Sequence, residues 1–124
     1  MNTPAPFPAP DPAIVLTKAV LNAAQLLGLR NRELAAVLGS SEASISRLQT
    51  NRLIEPETKE GELALLLLRV FRSLDALVGG AEAKARAWLH AENSHLGGIP
   101  AKRIRSVEGL VDVVQYLDSM RGRL

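Results

Sequence analysis

Apolar residues recur along most of the chain at the three-to-four spacing of amphipathic helices. The first stripe, Leu16, Ala19, Val20, Ala23, Ala24 and Leu27, is opposed by Lys18, Asn22 and Gln25. Asp11 followed by Pro12 gives this helix a cap and a first position, and Gly28 gives it a stop. Two short helices are expected over 31–38 and 42–49, joined through Gly39, Ser40 and Ser41 by a tight turn. The longest helix spans 58–78 and is stopped by Gly79 and Gly80. Its core stripe of Leu63, Leu66, Leu67, Val70, Leu74 and Leu77 is widened by Leu65, Leu68 and Phe71 beyond the arc that one core needs. A second packing partner is therefore expected, and a second copy of the chain meeting at Leu65, Leu68 and Phe71 would supply it as a homodimer. A helix over 81–91 places Ala85, Trp88 and Leu89 on its buried side and is followed by a Gly-rich break over 93–100. Ser106 caps the last helix, which turns Val107, Leu110, Val111, Val114 and Leu117 inward and Glu108, Asp112, Gln115 and Asp118 outward. Arg121, Gly122, Arg123 and Leu124 lie past its last clear turn.

Composition narrows this to an all-α protein: 47% of residues are hydrophobic but only 3% aromatic, the apolar content being mostly Leu, Ala and Val, which favours packed helices over a sheet. A length of 124 residues suits two small subdomains sharing a core and is short for two independent domains. Four of the seven prolines fall within the first ten residues, so 1–11 reads as an extended, disordered tail; 12–57 and 58–124 are the two parts that follow. Neither a leader with an apolar core nor an apolar run of about eighteen residues is found, which predicts a soluble, cytoplasmic protein with no membrane association. The absence of cysteine removes disulfides, thiolate metal sites and cysteine nucleophiles together. A net charge of +2 is too small to announce nucleic-acid binding by itself, so any such contact depends on local placement.

That placement exists at 31–50. A helix-turn-helix requires a small residue where its helices cross, a residue tolerant of unusual φ in the turn, and apolar anchors for the second helix. Leu34 and Ala35 supply the first anchor and the small contact, Leu38 closes the first helix, Gly39 occupies the turn, and Ile45 and Leu48 pin the second helix. With those two turned inward, Ser41, Glu42, Ala43, Ser46, Arg47 and Thr50 face outward, where a recognition helix meets the edges of operator bases. Arg30, Arg32 and Arg52 stand nearby to reach phosphates, and Arg47 is the first candidate for a base or phosphate contact. Glu42 is dissonant, since it either accepts from a cytosine amino group or repels the backbone. Against this stands a plain helical hairpin in a Leu-rich core; the run of hydrogen-bonding side chains on the outer face argues for the DNA reading.

In the C-terminal third, Trp88 through Asn93, then Leu96, Gly97, Gly98, Ile99 and Pro100, then Glu108 and Gly109, and finally Val114 to Leu117, resemble the toxin-binding domain of the Xre/MbcA/ParS antitoxin family. The likeness spans 63–124, and that family also carries a helix-turn-helix upstream. The resemblance implies an antitoxin that is not an enzyme, whose partner is a RES-type toxin acting on NAD or using it for ADP-ribosylation. It also implies that the C-terminal end covers the toxin's active site, which draws attention to Arg121, Arg123 and Leu124, with Asn93, Lys102 and Arg103 as further toxin-facing candidates. Read without the family, Trp88 anchors a small core, Asn93 bonds the backbone of a tight loop, Gly97 and Gly98 permit positive φ, Pro100 stiffens the exit, and Lys102, Arg103 and Arg105 form a solvated basic cluster.

Other chemistry finds no footing. His90 and His95 lack companions at ligand spacing, Gly79 and Gly80 are not followed by the Lys of a phosphate loop, and Ser40, Ser41 and Ser44 have no neighbouring His in sequence, so no metal or cofactor is expected. Two rival functions remain from the residues alone: a phage-type repressor without a toxin, and an interaction module in which the helix-turn-helix is structural only.

Overall fold

The structure is a computed structural model that describes residues 9–123. Among these the fold is all-α, as expected, with seven α-helices, one 3-10 turn and no strand. The helices are α1 (Pro12–Leu26), α2 (Asn31–Leu38), α3 (Glu42–Arg47), α4 (Lys59–Leu77), α5 (Glu82–His90), α6 (Pro100–Arg103) and α7 (Val107–Arg121), with the 3-10 turn Ser94–Leu96 between α5 and α6. The Pro-rich stretch 1–8 lies outside the described residues.

Local chemistry sets most of the boundaries. Asp11 caps α1 by accepting from the Ala13 N–H at 2.9 Å, with Pro12 at the first helical position. Thr58 and Ser106 cap α4 and α7 in the same way, accepting from Gly61 and Gly109, both at 3.0 Å. The second short helix ends at Arg47, two residues earlier than its apolar pattern suggests. Leu48, Gln49 and Thr50 donate three residues back, to Ile45, Ser46 and Arg47, so the chain tightens into turns there. The break after α5 is also more structured than expected: Pro100 starts the one-turn helix α6 as its first residue.

The α4 helix is the beam of the molecule, packed against α1 and α2 on one side and most extensively against α7 on the other. This accounts for its wide apolar surface without a second chain. Leu68, expected at a dimer interface, is only 7% exposed and belongs to the core that α4 shares with its neighbouring helices. Phe71 is half-buried against the same core, and only Leu65, at 48%, is exposed. The stripe on α7 is likewise rotated from its expected position. Val107 is 61% exposed while Val113 is fully buried, so the covered face runs through Leu110, Val113, Val114 and Leu117. Asp112 and Asp118, expected outward, are half-buried and engaged by Arg103 and Arg69. The helix continues through Arg121, which is therefore not part of a free tail.

One buried hydroxyl connects α1 to the entrance of α4. Thr17, 3% exposed, donates to the Ala13 carbonyl at 2.7 Å and accepts from the Ile54 N–H at 2.8 Å. Replacing it with the near-isosteric valine orphans that N–H, so Thr17→Val should lower unfolding stability by about 1–3 kcal/mol in urea titration, while Thr17→Ser retains most of it. A valine variant as stable as the parent would show that Ile54 finds another acceptor.

Candidate functional site

The turn between α2 and α3 is built on Gly39, whose φ of +67° is left-handed and whose position closes α2 with Ser40 donating to the Ala35 carbonyl at 2.9 Å. Ser41 then caps α3 by accepting from the Ser44 N–H at 3.1 Å. Ile45 and Leu48 are buried, and Ser41, Glu42, Ala43, Ser46, Arg47 and Thr50 are all exposed. The structure thus brings the six expected outward residues onto one surface, Thr50 in the turns after α3 and not on the helix itself. Ser46 accepts from Asn31 at 3.4 Å, a contact from the start of α2 to the exposed side of α3.

The four nearby arginines divide. Arg30 and Arg32 are exposed at the start of α2, where the Arg30 N–H donates to Glu33 at 3.1 Å, and Arg47 is exposed at the end of α3. Arg52 is different: its guanidinium forks onto Glu60 at 2.7 and 3.0 Å, and its Nε donates to the Ser44 carbonyl at 3.0 Å. Expected as a phosphate contact, it instead ties the middle of α3 to the first turn of α4. Its part is to hold the angle of α3.

At the other end of the chain, Asn93 closes a tight loop. Its Oδ1 accepts from the N–H groups of His95 and Leu96 at 3.0 and 3.3 Å, and its backbone pairs with Gly98 in both directions. Gly97 follows in the left-handed region at φ +69°. Asn93 is thus turned to the loop it shapes. The loop carries His95 onto Tyr116 of α7, ring centroids 5.8 Å apart, and Tyr116 stacks on Trp88 of α5 at 6.2 Å. Trp88 is half-buried and forms part of this aromatic file instead of sitting wholly inside a core. The participation of Tyr116 and His95 had no signal in the sequence, since the three rings come from separate elements.

The expected cluster of Lys102, Arg103 and Arg105 is also divided. Lys102 is exposed; Arg103 bonds Asp112 at 2.6 Å and lies beside the 93–98 loop; Arg105 reaches away to Glu33 of α2 at 3.9 Å. Arg121 stands on the far end of α7, about 13 Å along the helix from Asp112 by its nine-residue rise, with Nη1 at 3.4 Å from Ser73 Oγ of α4. The C-terminal basic residues therefore do not converge with Asn93, Lys102 and Arg103. Arg123 is exposed in the turn after the helix, and Leu124 lies outside the described residues.

The model of the antitoxin Xre-like helix-turn-helix domain matches residues 7–69, and that of the antitoxin Xre/MbcA/ParS C-terminal toxin-binding domain matches residues 73–123. No curated protein matches the chain. Among the described residues, no helix is long and apolar enough to cross a membrane.

If Arg52 orients α3 through Glu60, the two side chains must be coupled. A double-mutant cycle of Arg52→Ala and Glu60→Ala should return about 1–2 kcal/mol of interaction in chemical denaturation. A value within error of zero would remove the brace.

Proposed function

Since the chain belongs to the Xre-like antitoxin family, we propose that it is the antitoxin of a type II toxin-antitoxin pair, binding its own promoter through α2 and α3 and a RES-type toxin through its C-terminal part. The observation that carries this reading is the succession of the two matched domains along one chain, the first presenting Ser46 and Arg47 on an exposed helix face. In this reading 12–57 is the DNA-facing part and 58–124 the toxin-binding part. The protein acts in the cytoplasm, by occupancy and without catalysis.

Recognition of DNA follows from what α3 exposes. Arg47 carries a fork of donors suited to guanine or phosphate, and Ser46, Thr50 and Ser41 add short hydrogen-bonding groups around it. Arg30 and Arg32 set the register on the backbone. On the toxin side, the end of α7 is the element that reaches the active-site cleft. Arg121 is steadied by the helix and by Ser73, so Arg123 follows directly on a fixed base, and a cation there suits a pocket that holds the phosphates of a dinucleotide. Asn93, Lys102 and Arg103 form a separate, flanking part of the contact, Asn93 through the loop that it shapes. Pairing of two copies, for a two-half-site operator, keeps only Leu65 exposed of the three residues expected at its interface.

Three measurements test the proposal. Co-expression with the product of the adjacent gene should yield a stable complex, and the freed partner should consume NAD or ADP-ribosylate a target; a partner without either activity removes the RES assignment. On the gene's own promoter, Arg47→Ala should weaken binding by roughly 5- to 150-fold at fixed salt, the equivalent of about 1–3 kcal/mol. Unchanged affinity would end the role of α3 in recognition. Deleting residues 121–124 should release toxin activity in the reconstituted pair, whereas full inhibition by the shortened chain would move the block to the domain surface.

A further inference from the structure

Arg86 and Arg105 are far from the helix-turn-helix in sequence, yet they share an open cleft with it. The cleft, about 690 Å³, is walled on one side by Arg30, Arg32 and Glu33 of the α2 start and by Glu42 of α3, and on the other by Arg86 and His90 of α5 and by Arg105. We propose that this cleft is a continuation of the DNA-backbone footprint, so that the toxin-binding half of the chain supplies phosphate contacts through Arg86 and Arg105. The proposal rests on the promoter-binding reading above and extends it to residues outside the helix-turn-helix.

Four arginines face two glutamates across the cleft, which leaves it cationic. The acids are partly engaged already. Glu33 accepts from the Arg30 backbone N–H at 3.1 Å and has Arg105 Nη2 at 3.9 Å, too far for a hydrogen bond but close enough to offset its charge. Arg105 thus keeps its donors for another acceptor. Arg86 is held in place by a bond from Nη1 to the Leu26 carbonyl at 3.3 Å, beside the 2.9 Å contact of His90 Nε2 with the Leu27 carbonyl. These two contacts dock α5 on the C-terminal end of α1, so Arg86 is preorganised while its side chain stays 43% exposed; its nearest acid, Glu82, is 4.0 Å away.

A duplex is the occupant that fits the position. Helix-turn-helix docking lays the recognition helix in the major groove while the preceding helix meets the backbone at its start. Arg30 and Arg32 are at that start, and the cleft runs from them to Arg86 and Arg105, so a strand that meets the first pair is carried toward the second. A mainly polar, open lining suits a hydrated phosphate chain better than an enclosed small molecule. The footprint loses Arg52 to Glu60 and gains two cations that the sequence placed elsewhere.

The test is binding of the full chain to a duplex of its own promoter over a range of salt, with neutralisation of the toxin measured in parallel. Arg105→Ala and Arg86→Ala should each weaken binding several-fold and lower the slope of log affinity against log salt by about 0.9. Arg86→Lys, which keeps the charge while losing the bond to Leu26, should retain most of the slope, separating charge from docking of α5. Arg72→Ala, an exposed arginine of α4 outside the cleft, should leave both affinity and slope unchanged. Wild-type slopes for Arg105→Ala and Arg86→Ala beside a weakened Arg47→Ala would overturn the cleft while leaving the recognition helix intact. Loss of toxin capture by Arg105→Ala with DNA binding intact would assign the cleft to the toxin and also overturn it. If the parent chain shows no salt-dependent binding to the promoter, the underlying DNA reading falls with it.

Discussion

Burial of α4 on opposite sides is the constraint on which the other elements depend. Beside the buried stripe of Ala64, Leu67, Val70 and Leu74, Gly61 and Leu68 are buried to one side and Ser73 to the other, and a helix covered over so much of its circumference must have neighbours on more than one flank. The positions of α1 and α2 on one flank and α7 on another follow from this. Small residues help: Gly61, Ala64 and Ser73 are all buried on this helix, and the absence of bulk there lets neighbouring backbone approach. Each fully buried Leu, Ile or Val contributes about 1.5–3 kcal/mol relative to exposure, so the continuous cluster from Leu16 to Leu117 is the main source of stability. Because the two matched domains meet within α4, neither is packed without it.

Polar groups then fix what apolar packing leaves loose. Thr17 joins α1 to Ile54, Arg52 joins α3 to Glu60, Arg86 and His90 join α5 to the end of α1, and Asp118 joins α7 to Ser73 and Arg69 of α4. Hydrophobic contact is nondirectional, whereas each of these bonds accepts only one relative placement of its two elements. In the proposed role, with one face toward DNA and another toward a protein, such directional contacts have a functional consequence. They keep the two faces in a constant relation.

The arginines around the helix-turn-helix and the 93–98 loop are accordingly of two kinds. Arg52 and Arg103 are partly covered and bound to carboxylates, Arg52 with its Nε and both Nη engaged and Arg103 through Nη2. Arg30, Arg32 and Arg47 are exposed near the candidate recognition surface. A net charge of +2 hides this division, since paired and unpaired cations count alike in a sum.

Much of the secondary structure was legible in the sequence because it rests on near neighbours. Asp11, Thr58 and Ser106 act on amides two or three residues away, Gly39 needs only its own φ, and the helical spacing of Leu34, Leu38, Ile45 and Leu48 states which faces turn inward. The six exposed residues from Ser41 to Thr50 followed from that spacing. Distance along the chain hid the rest. The most extensive neighbour of α4 is α7, about forty residues on, and no pattern within α4 distinguishes a distant helix of the same chain from another copy of it, because either can cover an apolar face. Whether Arg52 faces phosphate or Glu60, and whether Arg105 joins Arg103 or crosses to Glu33, depends on which acid the fold brings within a few ångströms. Coulomb and hydrogen-bond energies fall steeply with separation, so sequence alone determined most of the helices and their inward faces, α6 and the stripe of α7 excepted, and tertiary structure decided which charges and rings meet.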